Sequence, residues 1–232
     1  MHYTRGMSFL TKTTGLILAF ICVASISVIG HALDYDFSKM SKTEIGLAYL
    51  KLGFQHIIPK GIDHILFVIG IFLLNPKLNK VIWQATAFTI AHSITLGLAM
   101  YGVIKPPADI IEPVIALSIV LVALENMITA NLHPWRIFII FLFGLVHGMG
   151  FAGVLIELGL PQKEFVTGLI TFNLGVEIGQ ITVILAAYFL FGMWFGDKQW
   201  YRKAIVIPLS IIIACIALYW TVERVAGTMG WV

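Results

Sequence analysis

The sequence predicts an all-α fold: a polytopic membrane helix bundle of about six transmembrane helices after an N-terminal signal segment. Of 232 residues, 59% are hydrophobic and only 12% charged, and the mean hydropathy is +0.94, well outside the soluble globular range. Apolar runs near the ~20 residues that a bilayer crossing needs recur along the chain. Short polar stretches such as Asn75-Pro76 and Pro106-Pro107 separate them. No segment long enough for a sizeable soluble domain remains, so the helices must form the core themselves.

In chain order, residues 1–32 read as a secretory signal peptide. Arg5 and Lys12 precede an apolar stretch from Gly15 to Ile29, and Gly30 and Ala32 supply a small-x-small end, with cleavage expected near Ala32. An uncleaved N-terminal helix is the alternative. Residues 33–60 alternate charge and apolarity, and Ile45, Ala48, Tyr49, Leu52 and Ile57 fall at helical spacing. This predicts an extracytosolic amphipathic segment on the outer face, closed by His56 and broken by Pro59 and Gly61. Residues 61–232 form the transmembrane bundle.

The first predicted span starts near Lys60 and ends before Asn75-Pro76. It is short, so it must tilt, borrow residues from before Pro59, or re-enter. Five clearer spans cover residues 82–104, 110–129, 137–156, 165–194 and 203–223. Short connections make neighbours antiparallel. With an exported start, the inner loops hold Lys77, Lys80, Arg136, Lys198, Arg202 and Lys203, and the outer segments after the first span hold Lys105, Lys163 and Arg224. That bias follows the positive-inside rule and places the mature N-terminus outside. The net charge of +3 is spread over these loops, a pattern of topology and not of nucleic-acid binding. Cys22 and Cys215 are the only cysteines, too few for a disulfide framework or a thiolate metal site.

Ionisable residues inside such spans are expensive and mark functional sites. Asp63 and His64 stand at the start of the first span. In the second, Thr89, His92 and Ser93 share a face, with His92 near its centre. The third carries Ser118, Glu125 and Asn126, with pairing of Glu125 to Arg136 as its structural alternative. The fourth sets His147 among Gly144, Gly148, Gly150 and Gly153, small residues that bring a neighbouring backbone close. In the fifth, Asn173, Glu177 and Gln180 form one polar stripe.

Imidazoles and carboxylates without thiolates suit a divalent transition metal: Ni, Co, Zn, Fe or Mn. The expected ligands are Asp63, His64, His92, His147 and Glu177, each from its own place in the bundle, with His56, Glu125, Asn126, Asn173 and Gln180 as secondary candidates. By position along the spans they form a graded row, with Asp63, His64 and His56 outermost and Glu125 with Asn126 innermost. Such a row of weak polar ligands is what a permeating ion needs.

Five segments carry a resemblance: Gly61-Ile-Asp-His-Ile-Leu-Phe, Thr86-Ala-Phe-Thr-Ile-Ala-His-Ser-Ile-Thr-Leu, Phe143-Gly-Leu-Val-His-Gly-Met-Gly-Phe-Ala-Gly, Glu157-Leu-Gly-Leu-Pro and Phe172-Asn-Leu-Gly-Val-Glu-Ile-Gly-Gln. In this order they resemble the HupE/UreJ family of bacterial membrane proteins. The resemblance implies nickel or cobalt uptake through the bacterial cytoplasmic membrane. The family's better-described permease branch has His, five residues, then Asp-His; here six residues separate His56 from Asp63. Phe143 and Gly150 also stand where that branch has His and Glu, so the chain is most similar to the second, divergent branch.

The expected function is thus a divalent-metal permease whose partners are the bilayer and the ion, with a homo-oligomer or a membrane partner left open. An intramembrane zinc-type hydrolase using Asp63, Ser93 and the histidines, or a metal-handling assembly subunit, are the alternatives. No nucleotide-binding loop is visible, which speaks against ATP-driven transport by this chain alone.

Overall fold

The computed structural model describes residues 40–105, 107–157 and 162–230, and these residues are all-helical, with no strand among them. The predicted signal segment lies outside them. The helices are α1 (Lys42–Ile57), α2 (Ile62–Leu74), α3 (Leu78–Met100), α4 (Ala108–Ile128), α5 (Arg136–Glu157), α6 (Phe165–Ala187) and α7 (Ile207–Thr228). A π-helical turn at Tyr188–Gly192 carries α6 on to Phe195, and a second one, Arg202–Val206, leads into α7. Five helical stretches are long and apolar enough to cross a membrane, and α1 with α2, bent by 68° at their junction, pass the same test as a pair.

Local chemistry explains the boundaries. Ser41 and Glu44 close α1 with a capping box: Ser41 Oγ accepts from the Glu44 amide at 3.4 Å and Glu44 Oε2 accepts from the Ser41 amide at 2.7 Å. Helix α3 begins and ends about four residues earlier than its apolar run suggests. Pro76 precedes its start, and Gly102, at φ 72°, lets Val103 N–H reach back to Leu98 O at 3.0 Å, a Schellman stop that ends the helix before Val103 and Ile104.

Packing depends on backbones that approach closely. A Cβ on Gly148 of α5 would collide with the His92 carbonyl and the Thr95 hydroxyl, and one on Gly144 would lie 2.9 Å from Ala91 Cβ. Thr95 Oγ1 donates across this seam to Leu145 O at 2.7 Å, fastening α3 to α5 as small-residue membrane interfaces are fastened. Helix α1 packs on α6 in the same way. Gly53 leaves no room for a Cβ beside the Phe172 backbone, nor Gly175 beside Leu50 and Phe54. In the structure Ile45, Ala48, Tyr49 and Ile57 are buried, because Gly46 and Gly53 give α1 a smooth face that fits α6 lengthwise.

Helix α6 serves as a ruler for depth. Gly46 lies against Thr167 and Thr171, Ile57 against Gly179, and, beyond the bend, Phe72 and Pro76 against Gly192. The α1–α2 pair therefore meets α6 at successive points in the same chain direction, with the 68° bend at Ile58–Gly61 part-way along. Ile90, Ile94, Ile170, Leu174 and Ile178 present exposed apolar faces, as surfaces wetted by lipid do.

The far end of α4 is tied by charge. Arg136, 1% exposed, pairs with Glu125 Oε2 at 3.1 Å and donates twice to Asn126 Oδ1 at 3.3 Å. Asn126 in turn donates to Gly70 O of α2 at 2.8 Å and to Ser210 of α7 at 3.3 Å. Arg202 donates to the last carbonyls of α4, Asn126 O and Met127 O both at 2.9 Å, satisfying acceptors that have no partner within the helix.

Candidate metal centre

Four imidazoles from four helices meet inside the bundle. His56 ends α1 and His64 opens α2, so the bend at Ile58–Gly61 turns both toward the interior. Their ring centroids lie 4.6 Å apart. His92, at the middle of α3, is 6.1 Å from each of them, and His147 of α5 is 5.1 Å from His64. His92 and His147 arrive together because Gly148 seats α5 against the His92 carbonyl.

Hydrogen bonding fixes the protons. Asp63 Oδ1 accepts from the His64 amide at 2.8 Å and from His64 Nδ1 at 3.1 Å. Asn173 Oδ1 lies 3.2 Å from His92 Nδ1. The Ser118 hydroxyl donates to Ile115 O at 2.7 Å, so it accepts from His147 Nε2 at 3.0 Å. In each case an oxygen engages one ring nitrogen as a donor, and in the neutral ring the other nitrogen is then a bare lone pair. Those other nitrogens are His64 Nε2, His92 Nε2 and His147 Nδ1. They are buried without a hydrogen-bond partner, as is His56 Nε2.

Buried nitrogens without partners are rare and call for an explanation. Ligand nitrogens of His56, His64 and His92 all lie within 4.8 Å of one another. A triangle with edges no longer than that puts each nitrogen within about 2.8 Å of its centre, against about 2.1 Å in a bonded imidazole–metal contact. Small ring rotations close that gap. An orienting carboxylate, amide or hydroxyl on the far ring nitrogen is the support that metal-binding histidines have.

The walls are aromatic. Phe151 lies tilted against His56 with ring centroids 3.8 Å apart, Phe172 lies 5.7 Å from the same ring, and Phe88 and Phe67 pack on His147 at 4.9 and 5.3 Å. The nearby oxygens of Asp63, Asn173 and Ser118 are engaged by ring nitrogens, so a cation held here would meet imidazole nitrogen, a donor set that suits transition metals better than Mg or Ca.

The structure thus brings His64, His92 and His147 together, and it adds His56. Their convergence replaces the upper part of the graded row with one cluster. Asp63 Oδ1 and Asn173 Oδ1 both sit against ring nitrogens and so act as orienting groups. Glu177 stands apart: its Oε1 accepts from Thr86 Oγ1 at 2.6 Å, six residues or about 9 Å along α3 from His92. Gln180 Oε1 accepts from Thr89 at 3.0 Å. Glu125 and Asn126 lie at the far end with Arg136, where the ion pair weighed from sequence forms. The pairing of Ser118 with His147 and the phenylalanine walls escaped sequence reasoning. The available signal was helical spacing: Phe88 is four residues before His92, and Phe151 four after His147.

If Asp63 positions His64, Asp63→Asn lowers metal affinity by about 10–100-fold, the range for loss of a supporting partner, and leaves metal stoichiometry unchanged. Equilibrium binding of Ni(II) to the purified protein measures both.

A protein-family model described as HupE / UreJ protein matches residues 34–224. No curated protein and no solved structure matches the chain.

Proposed function

The chain belongs to the HupE/UreJ family, and from that premise we propose that it is a permease for a divalent transition metal, nickel or cobalt, with the four-histidine cluster as the substrate site. The observation that carries this reading is the set of four buried imidazole nitrogens without a hydrogen-bond partner, from four helices of a multi-pass membrane protein, with ligand nitrogens of His56, His64 and His92 within 4.8 Å of one another.

A cation held there replaces hydration water with nitrogens from α1, α2 and α3, and His147 of α5 stands beside them, its ring 5.1 Å from that of His64. None of these four shares a helix with another, so the site is complete only while the helices are together. Relative movement of one helix opens it, which suits an ion that must leave as well as bind. The break between α1 and α2 falls between two of the ligands. Counted as one crossing, the pair makes six spans, and interrupted helices of this kind are where transporters place ion sites. We assign the protein to the bacterial cytoplasmic membrane, with the start of α1 facing outward.

The hydrolase reading draws less support. Ser93 Oγ donates to its own helix at Thr89 O, 2.7 Å away, and Asp63 Oδ1 is engaged by His64, so neither is placed as a nucleophile or a free general base. Uptake decides the matter. Cells expressing the protein accumulate radiolabelled nickel or cobalt severalfold above the empty host; equal accumulation for Ni, Co, Zn, Fe and Mn overturns the proposal.

A further inference from the structure

One turn along α6 from Asn173, the seam between α3 and α6 holds a second polar group that the four histidines do not use. Thr86 Oγ1 donates to Glu177 Oε1 at 2.6 Å, the short distance of a charge-assisted bond. Glu177 Oε2 is buried with no hydrogen-bond partner, and Glu177 has no ion-pair partner among the described residues. Beside it Gln180 is 1% exposed, with its Nε2 also unpartnered.

We propose that Glu177, Thr86 and Gln180 form a second, oxygen-lined station for the same divalent cation, which receives it from the histidine cluster. This rests on the permease reading above. A carboxylate oxygen with neither donor nor cation inside a membrane bundle is costly, and a divalent ion at Oε2 removes that cost. The Thr86 hydroxyl, its proton directed to Glu177, keeps a lone pair free to join the coordination. Gln180 supplies its own oxygen when the amide turns over. The Thr89 hydroxyl then accepts from the amide NH2 and turns its own proton to Ala85 O, 3.2 Å away, so the turn leaves no donor stranded.

The chemistry of the two stations orders them. Imidazole nitrogens hold nickel or cobalt more tightly than a single carboxylate with neutral oxygens does. Thr86, which holds Glu177, precedes His92 by six residues, about 9 Å along α3, so the two stations are separate sites along one path. The tight nitrogen site selects the ion, and the looser oxygen site lets it leave.

Co(II) titration of the purified protein, followed by equilibrium dialysis and the visible d–d spectrum, tests this. The wild type takes up two equivalents per chain, the first with the intense bands of a nitrogen-rich tetrahedral site and the second more weakly bound. Glu177→Gln retains the first equivalent with its spectrum and loses the second. Thr86→Val, a nearly isosteric change, weakens the second at least severalfold and guards against a folding artefact in Glu177→Gln. A wild type that binds a single equivalent, as it would if Glu177 carried only a proton, overturns the second station, as does a Glu177→Gln protein that binds both. Absence of the first, nitrogen-type equivalent instead overturns the permease reading's substrate site, so the two failures are distinguishable.

Discussion

Replacing His92 by alanine reduces nickel or cobalt uptake to the level of cells lacking the protein and weakens metal binding by more than about 100-fold, beyond the range seen when only a supporting partner is lost. The reason is geometric. His92 reaches the cluster from the middle of α3, with Asn173 Oδ1 holding Nδ1 and leaving Nε2 bare. Phe88 and Phe172 line the surrounding wall, so little oxygen is at hand to take its place. His64→Ala behaves the same way, since that ring lies 4.6 to 6.1 Å from each of the other three. Retention of half the wild-type uptake by either variant, at equal membrane abundance, contradicts the assignment of these nitrogens as ligands.

The largest stability effect is expected at the other end of the bundle. Arg136→Ala destabilises the protein by about 3–5 kcal/mol, because removal of one member of a buried pair strands the other. Glu125 would keep a buried Oε1 and lose its partner, and Asn126 would lose two donors while still bridging α2 and α7. Replacing both members, Arg136→Met with Glu125→Leu, recovers most of the loss, since an apolar pair of similar volume strands no charge. Thermal unfolding in one detergent measures all three proteins. A drop of under about 1 kcal/mol for Arg136→Ala, the scale of an exposed pair, shows that the pair carries no structural weight.

The crossings from Leu78 onward were legible in the sequence because each is a long apolar run bounded by turn residues, and α3 to α7 follow those runs within a few residues. Helix α1 was not. Lys42, Glu44 and Lys51 give it the look of a surface helix, and its place against α6 comes from glycine-smoothed faces, which are a property of two helices at once.

The candidate site was legible by residue type and not by depth. Helical periodicity put Asn173, Glu177 and Gln180 on one stripe, yet Asn173 meets His92, while Glu177 and Gln180 meet Thr86 and Thr89. Sharing a face says nothing of which neighbour stands opposite. His56 was undervalued because its spacing to Asp63-His64 exceeds the resembling pattern by one residue. The bend at Ile58–Gly61 accommodates that residue, since a break in the helix removes any fixed register between the two sides. Ser118 could not be matched to His147 at all, because the pairing spans two helices.

X-ray absorption at the metal edge of protein loaded with one equivalent of nickel tests the central claim most directly. The expected first shell is three to four imidazole nitrogens at about 2.1 Å, with the multiple-scattering signature of the ring and no sulfur, and one nitrogen fewer in His92→Ala. A first shell of oxygen alone, or a spectrum unchanged by His92→Ala, would contradict it.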